Sequence, residues 1–365
     1  MLHQLRSLIT AARLGDTRAA AQLLAKDPQL LHSRQAFHVL TTAVMARHLP
    51  MVQLLLDHGA DVNASPFYGP KSAHTDLERP LHWAVAVAPL EIIHLLLDRG
   101  ADVEGCVTWY TPLLLAARAG RPDVVQLLRA RGAREHFLVQ VALGQLKPVK
   151  KALVDNPALA NQQDEYGTPP LHIAAELQIT PMVKLLLSHH ADIALSDKHK
   201  ETVLHKLAIR LFDETLDHWG PRPPDELHKF SESSQLTVAK LLLQAGADVN
   251  ARNWRGLTPL HRAVRANRIG YVRFLIEHGA DINAADVAGD TPLRRAVTDV
   301  HRLEVAQLLI NAGANIHART KKSRSVLSLA RNPKMKSLLL TAAATADRPK
   351  KQKRTPLRNR QRIEL

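Results

Sequence analysis

The sequence predicts an all-α fold in which helix-turn-helix units stack into a solenoid and are joined by β-hairpin-like fingers. Three observations predict it. A Gly-Ala-Asp or Gly-Ala-Asn triplet begins at residues 246, 279 and 313, at intervals of 33 and 34 residues, and a fixed period of this length is typical of arrays of small units. A Pro-Leu-His triplet begins at residues 80, 170 and 259, with variants at 112 and 292. Between the two triplets, apolar residues recur at helical spacing.

Each element of the unit has a local physical cause, which the unit around residues 254–286 illustrates. Thr258 is predicted to cap the first helix, and Pro259 to occupy its first position, because proline lacks only a donor that would be unpaired there. Alanine and valine at 263 and 264 let the second helix, GYVRFLIEH, approach closely. Gly279 ends that helix, because the chain needs a left-handed residue at its C-terminus. Asp281 and Asn283 then supply turn chemistry for the finger.

These triplets resemble the ankyrin repeat family. The resemblance implies an all-α ankyrin-repeat α-solenoid of about ten units, extending over residues 3–343. It also implies that the imidazoles at His82, His172, His205 and His261 tie neighbouring repeats together by hydrogen bonds. Partners would be bound by the finger tips and by the exposed edge of the first helix, because stacking occupies the other faces.

The positions of the triplets predict a segmental organisation. The predicted segments are ankyrin repeats at 3–134 with a long finger at 64–79, a degenerate unit at 135–163, repeats at 164–343 with an insertion at about 209–234, and a disordered basic tail at 344–365. The degenerate unit lacks Thr-Pro, and we expect it to be a weak joint between two stacks. Insertions in repeat arrays are often where function is added.

The net charge of +15 is concentrated at the C-terminal end. Residues 318–365 hold 15 lysines and arginines but only two acids, Asp347 and Glu364. A tail of this composition is predicted to solubilise the protein, to bind nucleic acid or another polyanion, or to act as a nuclear import signal if the host is eukaryotic. The polyanion-binding candidates are Lys350, Lys351, Lys353, Arg354, Arg358, Arg360 and Arg362.

The sequence gives no reason to propose an enzyme, a cofactor or a metal site. The zincin, zinc-finger, dinucleotide-binding and phosphate-loop motifs are not found. One acidic cluster in the insertion, around Asp213, Asp217 and His218, fits a metal site or an exposed acidic helix face, and the second interpretation is preferred. We expect a soluble, cytoplasmic monomer without a membrane span, since no apolar run is long and uncharged enough.

The activity that the sequence favours is recognition of another protein, with the nucleic-acid interpretation of the tail kept as the alternative. The candidate partner-binding residues are Trp109, Tyr110, Tyr166, Lys198, His199, Trp254 and Arg255 at finger tips, and Arg118, Glu176 and Arg265 on the helix edge. Tryptophan, tyrosine and arginine are enriched at interface hot spots. The alternative for Trp254 is that it covers the flank of an adjacent finger. Arg294 replaces the motif histidine, and nearby acids predict internal pairing of part of the arginine charge.

Overall fold

The computed structural model describes residues 2–32, 36–64, 79–105, 111–164, 166–208, 231–319, 325–330 and 332–346. Contacts between Cα atoms divide the chain into two compact units, Met1–Asp281 and Ile282–Leu365. Helices account for nearly all of the regular structure in the described residues, and two isolated antiparallel bridges, Ser196 with Thr202 and Arg319 with Ser325, mark finger bases.

The first unit contains sixteen α-helices in its described residues. In chain order they are α1 (Leu2–Leu14), α2 (Thr17–Lys26), α3 (Phe37–Met45), α4 (Leu49–Asp57), α5 (Pro80–Val87), α6 (Leu90–Asp98), α7 (Pro112–Ala119), α8 (Pro122–Ala130), α9 (Phe137–Ala142), α10 (Leu146–Asp155), α11 (Pro170–Glu176), α12 (Thr180–Ser188), α13 (Val203–Ala208), α14 (Glu232–Gln244), α15 (Pro259–Arg265) and α16 (Ile269–Glu277). Two 3₁₀ helices, Pro28–His32 and Pro157–Asn161, follow α2 and α10.

The helices of the first unit form two packed layers. Each odd-numbered helix contacts the even-numbered helix that follows it, so that every unit of the sequence pattern is a helix pair. The odd-numbered helices also contact one another in an unbroken series from α1 to α15, and even-numbered helices pack side by side from α10 to α16. Stacking therefore buries apolar faces that a single helix pair would leave in water.

The second unit repeats the same arrangement. Its helices in the described residues are α17 (Pro292–Val297), α18 (Leu303–Asn311), α19 (Val326–Leu329) and α20 (Pro333–Ala346), with a 3₁₀ turn at Val300–Arg302. Helix α17 packs on α18 and α19, and α18 packs on α20. No helix among the described residues of either unit is long and apolar enough to cross a membrane.

The predicted helix starts are confirmed at the Thr-Pro sites. The hydroxyl oxygen of Thr111 accepts a hydrogen bond from the Leu114 N–H at 3.2 Å, and helix α7 begins at Pro112. At α15, Thr258 is the N-cap residue, and its backbone N–H donates to Nδ1 of His261 at 3.1 Å. The threonine thus satisfies groups that a helix N-terminus otherwise leaves unpaired.

Asparagine side chains join consecutive repeats where the even-numbered helices end. The amide of Asn63 donates to the Gly100 carbonyl at 3.0 Å, and its oxygen accepts from the Asp102 N–H at 2.9 Å. The same bridge recurs in the first unit at Asn161 and Asn250, and in the second unit at Asn283. The sequence pattern predicted only turn chemistry at Asn283. These bridges fix the spacing between neighbouring loops.

The degenerate unit at 135–163 forms a helix pair like the others. Its first helix, α9, has six residues and contacts both α7 and α11. The division between the two compact units falls at Asp281 and Ile282, well after this segment. The weak joint at 135–163 stays a prediction.

Candidate protein-binding surface

Each described finger is built on one buried polar side chain at its base. In the finger before α11, Oδ1 of Asp164 accepts hydrogen bonds from the N–H groups of Tyr166 at 2.9 Å and Thr168 at 2.7 Å. Asp197 and Asn253 hold the next two fingers of the first unit in the same way. This turn chemistry places Tyr166, Lys198, His199, Trp254 and Arg255 at the finger tips.

The finger tips of the first unit are joined through their backbones. The Lys198 N–H donates to the Tyr166 carbonyl at 2.9 Å, and the Trp254 N–H donates to the His199 carbonyl at 3.0 Å. Gly167 permits this close approach, because a Cβ added there would lie 3.0 Å from the Lys198 nitrogen. Three successive fingers therefore present one continuous edge.

The side chains on this edge form what we call the fingertip row: Tyr166, Lys198, His199, Trp254 and Arg255. Lys198, His199 and Arg255 are exposed, and Tyr166 is half-buried. Trp254 is 54% exposed, a large fraction for a tryptophan. The Arg255 guanidinium lies 4.6 Å from the centre of the Trp254 ring, and the His199 ring lies 6.2 Å from it on the other finger. The structure thus brings together five of the predicted binding residues.

Trp254 was predicted either to bind a partner or to cover the flank of an adjacent finger, and its position is compatible with both roles. The indole lies beside His199 of the preceding finger, as the covering interpretation requires. Half of its surface nevertheless remains in solvent. A partner would therefore find an aromatic ring already held in place by its neighbours, which lowers the entropy lost on binding.

Lys200 belongs beside the fingertip row, although the sequence analysis did not single it out. It is exposed and has a φ of +56°, in the left-handed region that lysine rarely adopts. Glycine occupies the equivalent position in the neighbouring fingers, at Gly167 and Gly256. Strained backbone positions cluster at functional sites. The sequence could have indicated this residue, because Lys200 stands where the neighbouring fingers have glycine.

A buried charge cluster lies beneath the fingertip row. The ammonium of Lys206, on α13, contacts Asp197 at 2.7 Å and Glu201 at 3.1 Å. Arg262, on α15, also pairs with Glu201. The side-chain amide of Asn253 donates a hydrogen bond to the same carboxylate at 3.2 Å. The cluster joins two fingers and two helices. The repeat pattern did not predict it, although a cation follows the motif histidine in both repeats.

The charges in this cluster control one another's protonation. Burial alone would raise the pKa of Glu201, but Lys206 and Arg262 lower it to about 2. Burial lowers the pKa of Lys206, and the carboxylates of Glu201 and Asp197 more than compensate, so that it lies above its ordinary value. Glu201 and Lys206 therefore both stay ionised near neutral pH, and the cluster supports the finger tips from below.

Two of the four motif histidines, His172 and His205, have the structural role that the resemblance implied. Nε2 of His172 lies 3.1 Å from the Leu195 carbonyl of the next repeat, and Nε2 of His205 lies 2.9 Å from the Leu257 carbonyl. At His205 the Thr202 N–H donates to Nδ1, which leaves the proton on Nε2. Burial lowers the pKa of His172 to about 3 and also lowers the pKa of His205. The imidazoles are neutral inter-repeat bridges.

Two predicted helix-edge residues are not exposed, and the prediction of their exposure is wrong. Arg118 and Glu176 are 5% and 3% exposed, and Nη2 of the arginine lies 2.5 Å from Oε2 of the glutamate. They occupy the same position at the ends of α7 and α11, and their opposite charges attract across the short helix α9. Arg265, at the equivalent position of α15, is half-buried.

Other predicted candidates lie outside the described residues. These are Trp109 and Tyr110, the insertion cluster with Asp213, and the tail from Lys350 to Arg362. Among the residues that are described, no group of three or more histidine, cysteine, aspartate or glutamate side chains is placed to hold a metal ion.

The predicted internal pairing of arginines is confirmed in the second unit. Arg295 contacts Asp286 at 2.6 Å, Arg302 contacts Asp299 at 3.1 Å, and Arg294 pairs with Asp290. Arg294 thus uses the position of the motif histidine for an ion pair within its own repeat.

The family of the chain follows from this repeated architecture and from comparison with family models. Models described as ankyrin repeats match residues 67–138, 136–215 and 227–320, and a single ankyrin repeat matches 37–65. These segments cover more than half of the chain. The chain belongs to the ankyrin repeat family, whose repeats generally mediate protein–protein interaction.

Three relatives show how widely this sequence pattern is shared. An ankyrin repeat protein of fowlpox virus is 30% identical over 110 residues, which are 28% of this chain and 15% of the relative. The phosphocholine transferase AnkX of Legionella pneumophila is 25% identical over 186 residues, or 41% and 20% of the two chains. Human transient receptor potential cation channel subfamily A member 1 is 33% identical over 180 residues, or 46% and 16%. The aligned part is a fifth or less of each relative.

Proposed function

We propose that this chain is a non-enzymatic adaptor that binds another protein through the fingertip row. The observation that carries the proposal is the half-exposed Trp254, held between Arg255 and His199 on an edge of three hydrogen-bonded fingers. Aromatic and arginine side chains in this arrangement are the usual centre of an interface. Lys198 in the row and Lys200 beside it are exposed cations and favour an acidic partner surface.

The non-enzymatic part of the proposal is supported by where the perturbed titratable groups lie. Burial lowers the pKa of His172 to about 3, and Lys206 and Arg262 lower the pKa of Glu201 to about 2. Groups with strongly displaced pKa values are often catalytic. Here each is buried and already bonded, the histidine to a carbonyl and the glutamate to Lys206 and Arg262. The second ring nitrogen of His172, Nδ1, has no hydrogen-bond partner among the described residues but is buried, so it does not face a solvent-accessible substrate site. The enzymatic name of AnkX belongs to a protein that this chain matches over only 20% of its length.

The experiment that tests the proposal is site-specific photocrosslinking in the cells that make the protein. A benzophenone amino acid is placed at Trp254 in the full chain, and at exposed Thr237 on α14 as the matched control. The benzophenone side chain is aromatic like the indole but larger, and the exposed position 254 leaves room for it toward solvent. We expect a discrete crosslinked protein from position 254 that nuclease treatment leaves intact.

Two results would reject the proposal. One is the same crosslinked species from position 237, because the contact would then not depend on the fingertip row. The other is a product that disappears on nuclease treatment, which would transfer the activity to the polyanion alternative.

A further inference from the structure

A groove between two even-numbered helices is a second candidate surface, separate from the fingertip row. Helices α10 and α12 pack side by side, and the groove between them has an apolar floor and a basic rim. Leu146, Pro181 and Leu185 provide apolar surface, and Leu146 is 39% exposed. The rim is formed by Lys147, Lys150 and Lys184. We call this surface the α10–α12 groove.

The charges of this groove differ from those between the preceding even-numbered helices. There, arginine and aspartate alternate across the helix boundary: Arg99 pairs with Asp57 at 2.9 Å, and Arg131 pairs with Asp98 at 2.9 Å. Helix α12 has no acidic residue, and α10 has only Asp155 at its last position. The basic surface here is therefore not neutralised as it is in repeats two to four.

The lysines of the groove are available to a ligand. Lys147, Lys150, Lys151 and Lys184 are all exposed, and no ion pair within the described residues involves any of them. On α10, Lys150 lies one turn after Leu146, and Lys150 and Lys151 lie one turn after Lys147, because residues three or four apart are neighbours on a helix surface. Like charges held this close repel one another, and a bound anion relieves that repulsion.

The apolar floor and the lysine rim together favour some classes of anionic ligand over others. Nucleic acid is usually held by arginine forks and by aromatic side chains on which bases stack, and the groove lining contains neither. An interfacial membrane helix inserts large apolar side chains, whereas Leu185 is only half-exposed within the groove. A helical peptide that places apolar side chains on the floor and carboxylates against the lysines matches both components.

We propose that the α10–α12 groove binds an acidic amphipathic helical segment of a second protein. This site goes beyond the proposed function, because it lies on helices and shares no residue with the fingertip row. A chain with two such surfaces would hold two partners at once. Charge complementarity supplies the selectivity, and the apolar floor supplies the contact area.

The test is fluorescence anisotropy with a defined probe and the full-length protein. The probe is a fluorescein-labelled 16-residue helical peptide with leucine at positions i, i+4, i+7 and i+11 and glutamate on both flanks. The charge-reversal variant is Lys150→Glu/Lys184→Glu. Its matched control is Lys240→Glu, which reverses an exposed lysine on the neighbouring helix α14. Circular dichroism melting verifies that all three proteins are equally folded.

We expect saturable binding that weakens at least tenfold in the double variant and less than twofold in the control. Replacing the glutamates of the probe by glutamine, or its leucines by serine, is expected to weaken binding to the wild type by a similar factor. A 20-nucleotide single-stranded RNA and vesicles with 30% phosphatidylserine serve as competing ligands. Equal peptide binding by the double variant and the control would overturn the proposal, as would no peptide binding at all. The proposal would also be overturned if the double variant lost more affinity for the RNA or for the vesicles than for the peptide.

Discussion

Arg118 and Glu176 form a buried ion pair that joins α7 to α11 across the degenerate repeat at 135–163. The two side chains are 58 positions apart in sequence, and their charged atoms lie 2.5 Å apart. Helix α9, which contacts both α7 and α11, lies between their helices. The pair therefore links two helices that are not neighbours in the stack.

Removal of one member of this pair should destabilise the fold more than removal of both. Arg118→Met leaves the Glu176 carboxylate buried without its arginine and should cost about 3–5 kcal/mol. Glu176→Met should cost a similar amount for the reverse reason. The double variant should lose less than either single variant, because apolar side chains replace both charges. Urea unfolding at pH 7 measures all three, and additive losses would show that the residues are not coupled.

The stability of the protein should fall as pH decreases below about 6.5. In the folded state the pKa of His172 is about 3, chiefly because of burial and then because of Lys206, whereas its ordinary value is 6.5. The folded state thus binds fewer protons, so the contribution of this histidine is complete above pH 6.5 and is lost progressively toward pH 3. The slope for one such group is up to about 1.4 kcal/mol per pH unit.

His172→Gln isolates this effect. The variant should have a shallower decline of unfolding free energy between pH 6.5 and 5 than the wild type, although it is less stable at pH 7. His3→Gln, at an exposed site, is the control and should keep the wild-type slope. An unchanged slope in the His172 variant would mean that the imidazole is protonated in the folded state. The stability contributed by Glu201 is lost between about pH 4.5 and pH 2, which is below the pH range in which the slopes are compared.

Lys200→Gly should raise the stability of the protein and lower its affinity for the partner. Glycine adopts the φ of +56° without steric cost, so the variant should be more stable by about 1 kcal/mol. It should also bind the partner more weakly, because it removes a cation beside the fingertip row. Denaturation and partner affinity are measured on the same preparation. Unchanged affinity together with the gain in stability would exclude Lys200 from the interface.

Two glycines at the ends of fingers and helices should respond very differently to alanine. Gly100 and Gly105 have φ values of +86° and +72°. A Cβ at Gly100 meets nothing within 4 Å, so Gly100→Ala should cost about 1 kcal/mol from backbone strain alone. A Cβ at Gly105 would lie 2.5 Å from the His82 ring and 2.8 Å from Pro112, so Gly105→Ala should cost about 3 kcal/mol. Thermal melting compares them, and equal losses would mean that His82 does not pack against this glycine.

The sequence predicted the local structure of each repeat well. Thr258 and Pro259 mark a helix start, and His172 and His205 bond the next repeat, because these effects depend on residues at fixed short spacing. The exposed finger tips were predicted for the same reason. Base residues such as Asp197 hold a tip of two residues wherever the pattern occurs.

The sequence failed where long-range packing decides the environment. Arg118 and Glu176 were predicted to be exposed from their position on the helix edge, but they pair with each other across 58 positions of sequence, which a repeat pattern does not show. The pairing of Glu201 with Arg262 joins residues 61 positions apart across the insertion, so no fixed spacing reveals it. The asparagine bridges did carry a signal, since Asn250 and Asn283 are 33 residues apart, the repeat period.

The most direct test of the fingertip account is quantitative capture of partners by full-length variants from a native lysate, with and without nuclease. The variants are Trp254→Ala/Arg255→Ala and a tail variant in which Lys350, Lys351, Lys353 and Arg354 become glutamine. The account predicts a nuclease-resistant protein partner that the tail variant retains and the fingertip variant loses at least tenfold. Retention by the fingertip variant and loss by the tail variant, with a partner released by nuclease, would contradict it.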